Sequence, residues 1–147
     1  MQHIGAVSIT TDASSAALPA TLSIDAMGSA QTGLAPSAAA VRAPTTATST
    51  AYEASRVVKA AAGTLYGLAG YNSLASAQFI LIFDSATVPA DAAQAVFVIS
   101  VQATSNFSVD FGVYGRPFTA GISISNSTTA PTKTIGVANC FFDARYK

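Results

Sequence analysis

Residues 78–85 read Gln78-Phe79-Ile80-Leu81-Ile82-Phe83-Asp84-Ser85. In an extended chain successive side chains point to opposite faces, so Phe79, Leu81 and Phe83 share one face and Ile80 and Ile82 the other. Both faces are apolar. A strand with this pattern is covered on both sides, by core on one and by a second layer or a partner on the other. Val88-Pro89-Ala90-Asp91 supplies a turn directly after it. In a two-layer sandwich only one of the two faces is satisfied internally. Ile80 and Ile82, or the face opposite them, are therefore expected to meet an N-terminal arm or another subunit, and these two isoleucines are interface candidates.

Working outward, the chain from Tyr52 onward shows β patterning punctuated by turn residues, as sandwiches and barrels do. Ser55–Ala62 and Leu65–Asn72 are candidate strands, the second carrying Gly67 and Gly70, which mark a bulge or a close backbone approach. Ala95–Gln102 (AVFVISVQ) is a second run apolar on both faces. Ser105–Tyr114 alternates cleanly, with Phe107, Val109, Phe111 and Val113 on one side, as in a half-buried antiparallel strand. After a turn at Gly115-Arg116-Pro117, Phe118, Ala120, Ile122 and Ile124 form the next inward stripe, and Asn126–Thr134 reads as a polar loop. The last strand, Asn139–Lys147, puts Cys140, Phe142, Ala144 and Tyr146 on one face. Phe141 stands among polar residues on the other, which makes it a contact candidate. The expectation is an all-β protein of about seven strands after residue 52, an antiparallel β-sandwich or jelly-roll-like domain.

Residues 1–51 differ. From Gly28 to Ala51 the chain is rich in Ala, Thr and Ser and holds a single charge, Arg42. Without sizeable side chains it cannot build a core of its own, so it is either a flexible linker or an extended arm that orders against a neighbour. The expected organisation is a 1–51 arm segment and a 52–147 β domain. Ile4, Val7 and Ile9 and the group Leu18–Met27 could add one or two short strands.

The 147 residues are half hydrophobic and only a tenth charged, with seven basic residues balancing seven acidic ones. A neutral, charge-poor chain has little to oppose self-association, so a homo-oligomer is expected. Scattered basic residues give no stripe for phosphates, which argues against a nucleic-acid partner. No run approaches the roughly 20 apolar residues that a membrane-spanning helix needs, and the N-terminus lacks the basic and apolar regions of a secretory signal.

Chemistry is hard to find. With one histidine, His3, and one cysteine, Cys140, neither a zinc site nor a His-assisted nucleophile assembles from the usual parts. Asp84 and Asp91 flank the Pro89 turn, where aspartate serves its own backbone more often than paired-carboxylate chemistry. Asp110 and Arg116 flank Gly115 and are placed for a cross-turn ion pair. No cofactor or metal is expected, and no enzyme activity.

The segment Val57–Lys147 resembles small virion structural proteins of tailed bacteriophages. The resemblance is carried by GTLYGLAGYNS at 63–73, QFILIFDSATVPAD at 78–91, SNFSVDFGVYGRPFTAGISISNSTTAPTKT at 105–134 and NCFFDARYK at 139–147. It implies a particle component made in the host bacterial cytoplasm. One form is a capsid decoration or cement protein, a homotrimer seated on the major capsid protein at the virion surface. The other is a tail, fibre or baseplate component. A carbohydrate-binding module is a third reading, from a different class.

Overall fold

The computed structural model describes residues 43–147, together with Ser23–Ile24 (β1) and Ala30–Gln31 (β2). In the N-terminal unit, Met1–Arg42, β1 pairs antiparallel with β2. The arm and strand expectations for the rest of that unit lie outside the described residues.

The C-terminal unit, Ala43–Lys147, contains nine strands. They are Thr45–Thr48 (β3), Ser55–Lys59 (β4), Gly63–Asn72 (β5), Gln78–Asp84 (β6), Phe97–Val101 (β7), Ser105–Asp110 (β8), Arg116–Phe118 (β9), Ile122–Ser127 (β10) and Cys140–Tyr146 (β11). All pair antiparallel. The first sheet has the order β4-β10-β6-β7; the second has β3-β11-β5-β8, with β9 also on β5. The fold is the antiparallel two-sheet arrangement that the alternation predicts, with no helix among the described residues. Thr45–Thr48 falls inside the segment expected as an arm. It lies along β11 in register Thr48↔Asp143 to Thr45↔Tyr146, and this unit begins at Ala43, before the expected boundary at residue 52. Thr45, Thr46 and Thr48 suit an exposed edge strand although they offer nothing to a core.

The core lies between the sheets. Val58, Ile80, Ile82, Val101, Ile122 and Ile124 from the first sheet form one cluster with Leu65, Leu68, Phe107, Phe118, Phe142 and Ala144 from the second. Each fully buried aliphatic side chain here contributes about 1.5–3 kcal/mol. Phe107 and Phe142 meet edge to face at 6.2 Å between ring centres, as do Phe97 and Phe111 at 5.2 Å. Ile80 and Ile82, with 0% exposure, thus belong to the sandwich interior and cannot face another chain. The other face of the same strand is also closed. Leu81 and Phe83 are buried, and so are Ser125 and Ser123, their register partners on β10. The doubly covered strand is real, but its inner face is the isoleucine face.

Two departures from simple alternation shape the surface. Phe118 is on the second sheet and Ile122 on the first, so the stripe expected to run unbroken through Ala120 is cut by a crossing at Thr119–Gly121, where Ala120 is exposed. Asp84, at the end of β6, holds this crossing. Its carboxylate accepts the backbone N–H of Thr119 (2.9 Å), Ala120 (2.7 Å) and Gly121 (3.3 Å), and the Thr119 hydroxyl (2.8 Å). A side chain at Gly121 would sit 2.6 Å from Ala86 Cα and 2.8 Å from Lys59 O, so only glycine fits there. Asp84 is therefore a structural carboxylate. The Thr119 N–H first, then that of Ala120 and the Thr119 hydroxyl, hold its pKa far below the usual range. Because the folded-state value is depressed, its contribution to stability is complete above the unfolded pKa of about 3.9 and is lost as pH falls toward the folded value. Asp84→Asn should accordingly lower the melting temperature by a constant amount at neutral pH, and the gap to wild type should narrow in thermal melts taken below about pH 4.

The second departure follows β8. Asp110 pairs with Gly67 and Arg116 with Leu65, so five residues are spent where β5 advances by one. The surplus, Phe111–Gly115, leaves the sheet as a tight turn. Gly112 and Gly115 take left-handed conformations (φ 72° and 63°). The Gly112 N–H donates to Asp110 Oδ1 (2.6 Å) and the Gly115 N–H to Gly112 O (3.2 Å). Val113, expected inward, stands at the tip instead.

Candidate functional site

The charged side chains singled out in the sequence fall at separate places on the described surface. Among the described residues no three His, Cys, Asp or Glu side chains gather as metal ligands. Asp91 Oδ1 accepts the Ile135 N–H (3.1 Å) and lies 3.4 Å from Lys133 Nζ, tying two loops together far from the role Asp84 plays. Asp110 pairs with Arg145 (3.2 Å), not with Arg116. Arg116 lies over the Phe97 ring at 5.4 Å and donates to Val96 O (2.8 Å), because the excursion after Phe111 turns it toward β7. Burial pushes the Cys140 thiol up to about 11, so it stays protonated and unreactive at neutral pH. Cys140 sits in a cluster of carboxamides that alternation does not reveal. Gln78 Nε2 donates to Asn72 Oδ1 (2.7 Å) and Asn139 Oδ1 (3.0 Å), and Asn126 Nδ2 donates to Asn139 Oδ1 (2.7 Å) and Val137 O (2.6 Å). Asn126, expected to open a polar loop, is instead a buried strand residue whose amide closes one end of the sandwich.

Large apolar side chains stand out at two places. On the turn that leaves the sheet edge beside Tyr66, Val113 and Tyr114 are 86% and 91% exposed. At the end where β5 finishes, the connection into β11 presents Val137 at 65% and Ile135 at 42%. From Tyr66, beside which the turn leaves, to Asn72, opposite which β11 begins, β5 advances roughly 20 Å.

A third surface is the outer face of the second sheet. Along β5 its outward positions are Gly67, Ala69 and Tyr71. In register with them across the sheet come Asp110, Ser108 and Asn106 on β8 and Arg145, Asp143 and Phe141 on β11. Small residues on the middle strand between longer ones on both sides make a trough with a floor of Gly67 and Ala69. A Cβ on Gly67 would lie 2.8 Å from the Arg145 guanidinium, so glycine there lets the guanidinium lie across the buried Gly67 and reach Asp110, bridging this end of the trough. The Gly112 N–H and then Arg145 lower the Asp110 pKa and keep it ionised. Thr48 donates to Asp143 Oδ1 (2.6 Å) from β3. At one end of the trough Tyr71 and Phe141, cross-strand partners, join Tyr52 around an open apolar hollow. Phe141 lies half-buried on this outer face, and Ile80 and Ile82 are not brought to it. The trough itself is a product of register and had no sequence signal beyond Gly67.

No family model and no curated protein matches this chain. One solved structure is similar, the coat protein of Tobacco streak virus, at 12% identity and a TM-score of 0.36, over 69% of this chain and 83% of that one.

Proposed function

We propose that this chain is a structural protein of a virus particle, and within that class a decoration protein on the head of a tailed phage. The observation that carries the reading is the pair of exposed apolar groups, Val113-Tyr114 on the turn beside Tyr66 and Ile135 with Val137 in the connection into β11. A small charge-poor domain with apolar groups presented at two separated places is built to be held between neighbours. The resemblance of Val57–Lys147 to tailed-phage virion proteins supports the same reading. In it, copies associate as trimers on the major capsid protein, and many modest contacts across shell seams add by avidity. The role is mechanical, with no catalytic step.

Mass spectrometry of purified particles tests the assignment. A decoration protein is present at a copy number comparable with the shell protein and binds expanded heads that lack tails. A few copies retained only on tailed particles would instead mark a tail or baseplate component, and absence from particles would end the virion reading. Replacing Val113 and Tyr114 together by serine should change folding stability by no more than about 0.5 kcal/mol, as both are solvent-exposed. It should weaken self-association or head binding by about tenfold or more, because exposed tyrosines at interfaces carry disproportionate binding energy. Light scattering and a head-binding assay read the two effects separately.

A further inference from the structure

The trough on the outer face of the second sheet lies outside the core between the sheets, and its groups are individually fixed. Asp110 is oriented by the Gly112 N–H and by Arg145, and Asp143 by the Thr48 hydroxyl. Each carboxylate keeps acceptor capacity beyond these bonds, and the Arg145 fork keeps donors. The Arg145–Asp110 pair thus bridges one end of the trough over Gly67, Asp143 stands beside Ala69 on the β11 wall, and the Tyr71–Phe141 pair closes the other end with aromatic surface.

We propose that this trough binds a neutral glycan. A pyranose presents a C–H face and a rim of hydroxyls. The face packs on the rings of Tyr71 and Phe141. Adjacent hydroxyls can donate to Asp110 or Asp143 while accepting from Arg145, a two-way pattern that rigid planar groups satisfy well. The other ligand classes fit less well. An anionic ligand would have to displace Asp110 from Arg145, and two carboxylates against one guanidinium leave the trough with no positive excess. An extended peptide would find no backbone partners, since β5 is paired with β11 on one side and with β8 and β9 on the other, and β11 is paired with β3 and β5. The small side chain of Ala69, between Ser108 and Asp143 and next to Tyr71, leaves room for a ring lying over the sheet, and any larger side chain there would fill it.

The site is independent of the particle assignment and is tested on the purified full-length chain. An array of neutral and acidic oligosaccharides is screened, and the strongest neutral binder is titrated by calorimetry. Binding to neutral oligosaccharides that is insensitive to added salt is expected. Tyr71→Ala should weaken it by about tenfold or more. Ala69→Leu, which fills the floor from an outward position without touching the core, should abolish it with the melting temperature retained. The proposal is overturned if no neutral glycan binds above background, if binding is confined to acidic glycans, or if both variants bind as wild type does.

Discussion

Gly70→Ala should be the most damaging single-methyl change in the C-terminal unit. Gly70 lies in the middle of β5, opposite Phe142 on β11 and Phe107 on β8. A Cβ built there runs into the carbonyl oxygen of Phe141 and the Phe107 ring at Cζ. The first of these is backbone in a paired strand and cannot rotate away. The second is a core ring already packed edge to face on Phe142. Room for the methyl group requires β11 to move off β5 or Phe107 to leave the core. Overpacking of a close-packed interior costs about 1–3 kcal/mol and more when backbone must shift, so a loss above about 3 kcal/mol is expected from a total that is about 5–15 kcal/mol for a domain. Urea titration of wild type and variant measures it. Gly112→Ala is the control, since nothing lies within 4 Å of that position but its φ is 72°. It should lose only the roughly 1 kcal/mol of an unfavourable backbone conformation. Equal stabilities for Gly70→Ala and wild type would refute the close approach of β5, β8 and β11.

Ile80→Asn is the second large effect. Ile80 is completely buried, pairs with Ile99 on β7 and Asn126 on β10, and belongs to the core between the sheets. Removing its aliphatic side chain costs about 2–5 kcal/mol, and an amide left there without partners adds about 1–3 kcal/mol. The sum approaches the whole stability of a small domain. The expected result is an unfolded or insoluble chain. A folded variant that had merely dissociated into monomers, seen as an intact near-ultraviolet spectrum with a reduced mass by light scattering, would place Ile80 at an interface after all. The same logic sets the useful truncation. Thr45–Thr48 is a strand of the second sheet, and the Ser49 hydroxyl accepts the Phe142 N–H at 2.9 Å, so a deletion meant to probe the N-terminal unit belongs at Ala43. Cutting at residue 51 would strip an edge strand from β11.

Much of this fold was legible in the residues. The period of two in QFILIFDS, in Phe107–Val109–Phe111 and in Cys140–Phe142–Ala144 is a property of extended backbone, so which side chains share a face follows from the sequence alone. Turn residues placed the strand ends within a few positions. The buried Cys140 was readable from its place in an apolar stripe, whereas Asp84 and Asp91, expected to serve their own turn, hold backbone distant in the chain, at Thr119–Gly121 and at Ile135.

Other features depended on partners distant in the chain. Which of two apolar faces of β6 is the inner one depends on which sheet stacks on it, and Ile80 and Phe79 look alike until β5, β8 and β11 are in place. Val113 continues an alternating run, yet it projects into solvent because β5 offers one residue where Phe111–Gly115 spend five. The crossing at Thr119–Gly121 exists because Phe118 pairs with Gly63 and Ile122 with Asp84, on different sheets. The trough likewise needs Gly67 and Ala69 to fall between Arg145, Asp143 and Asp110. Local alternation determined the faces; long-range register, set by the packing of strands far apart in sequence, decided which faces are core and which side chains meet at the surface.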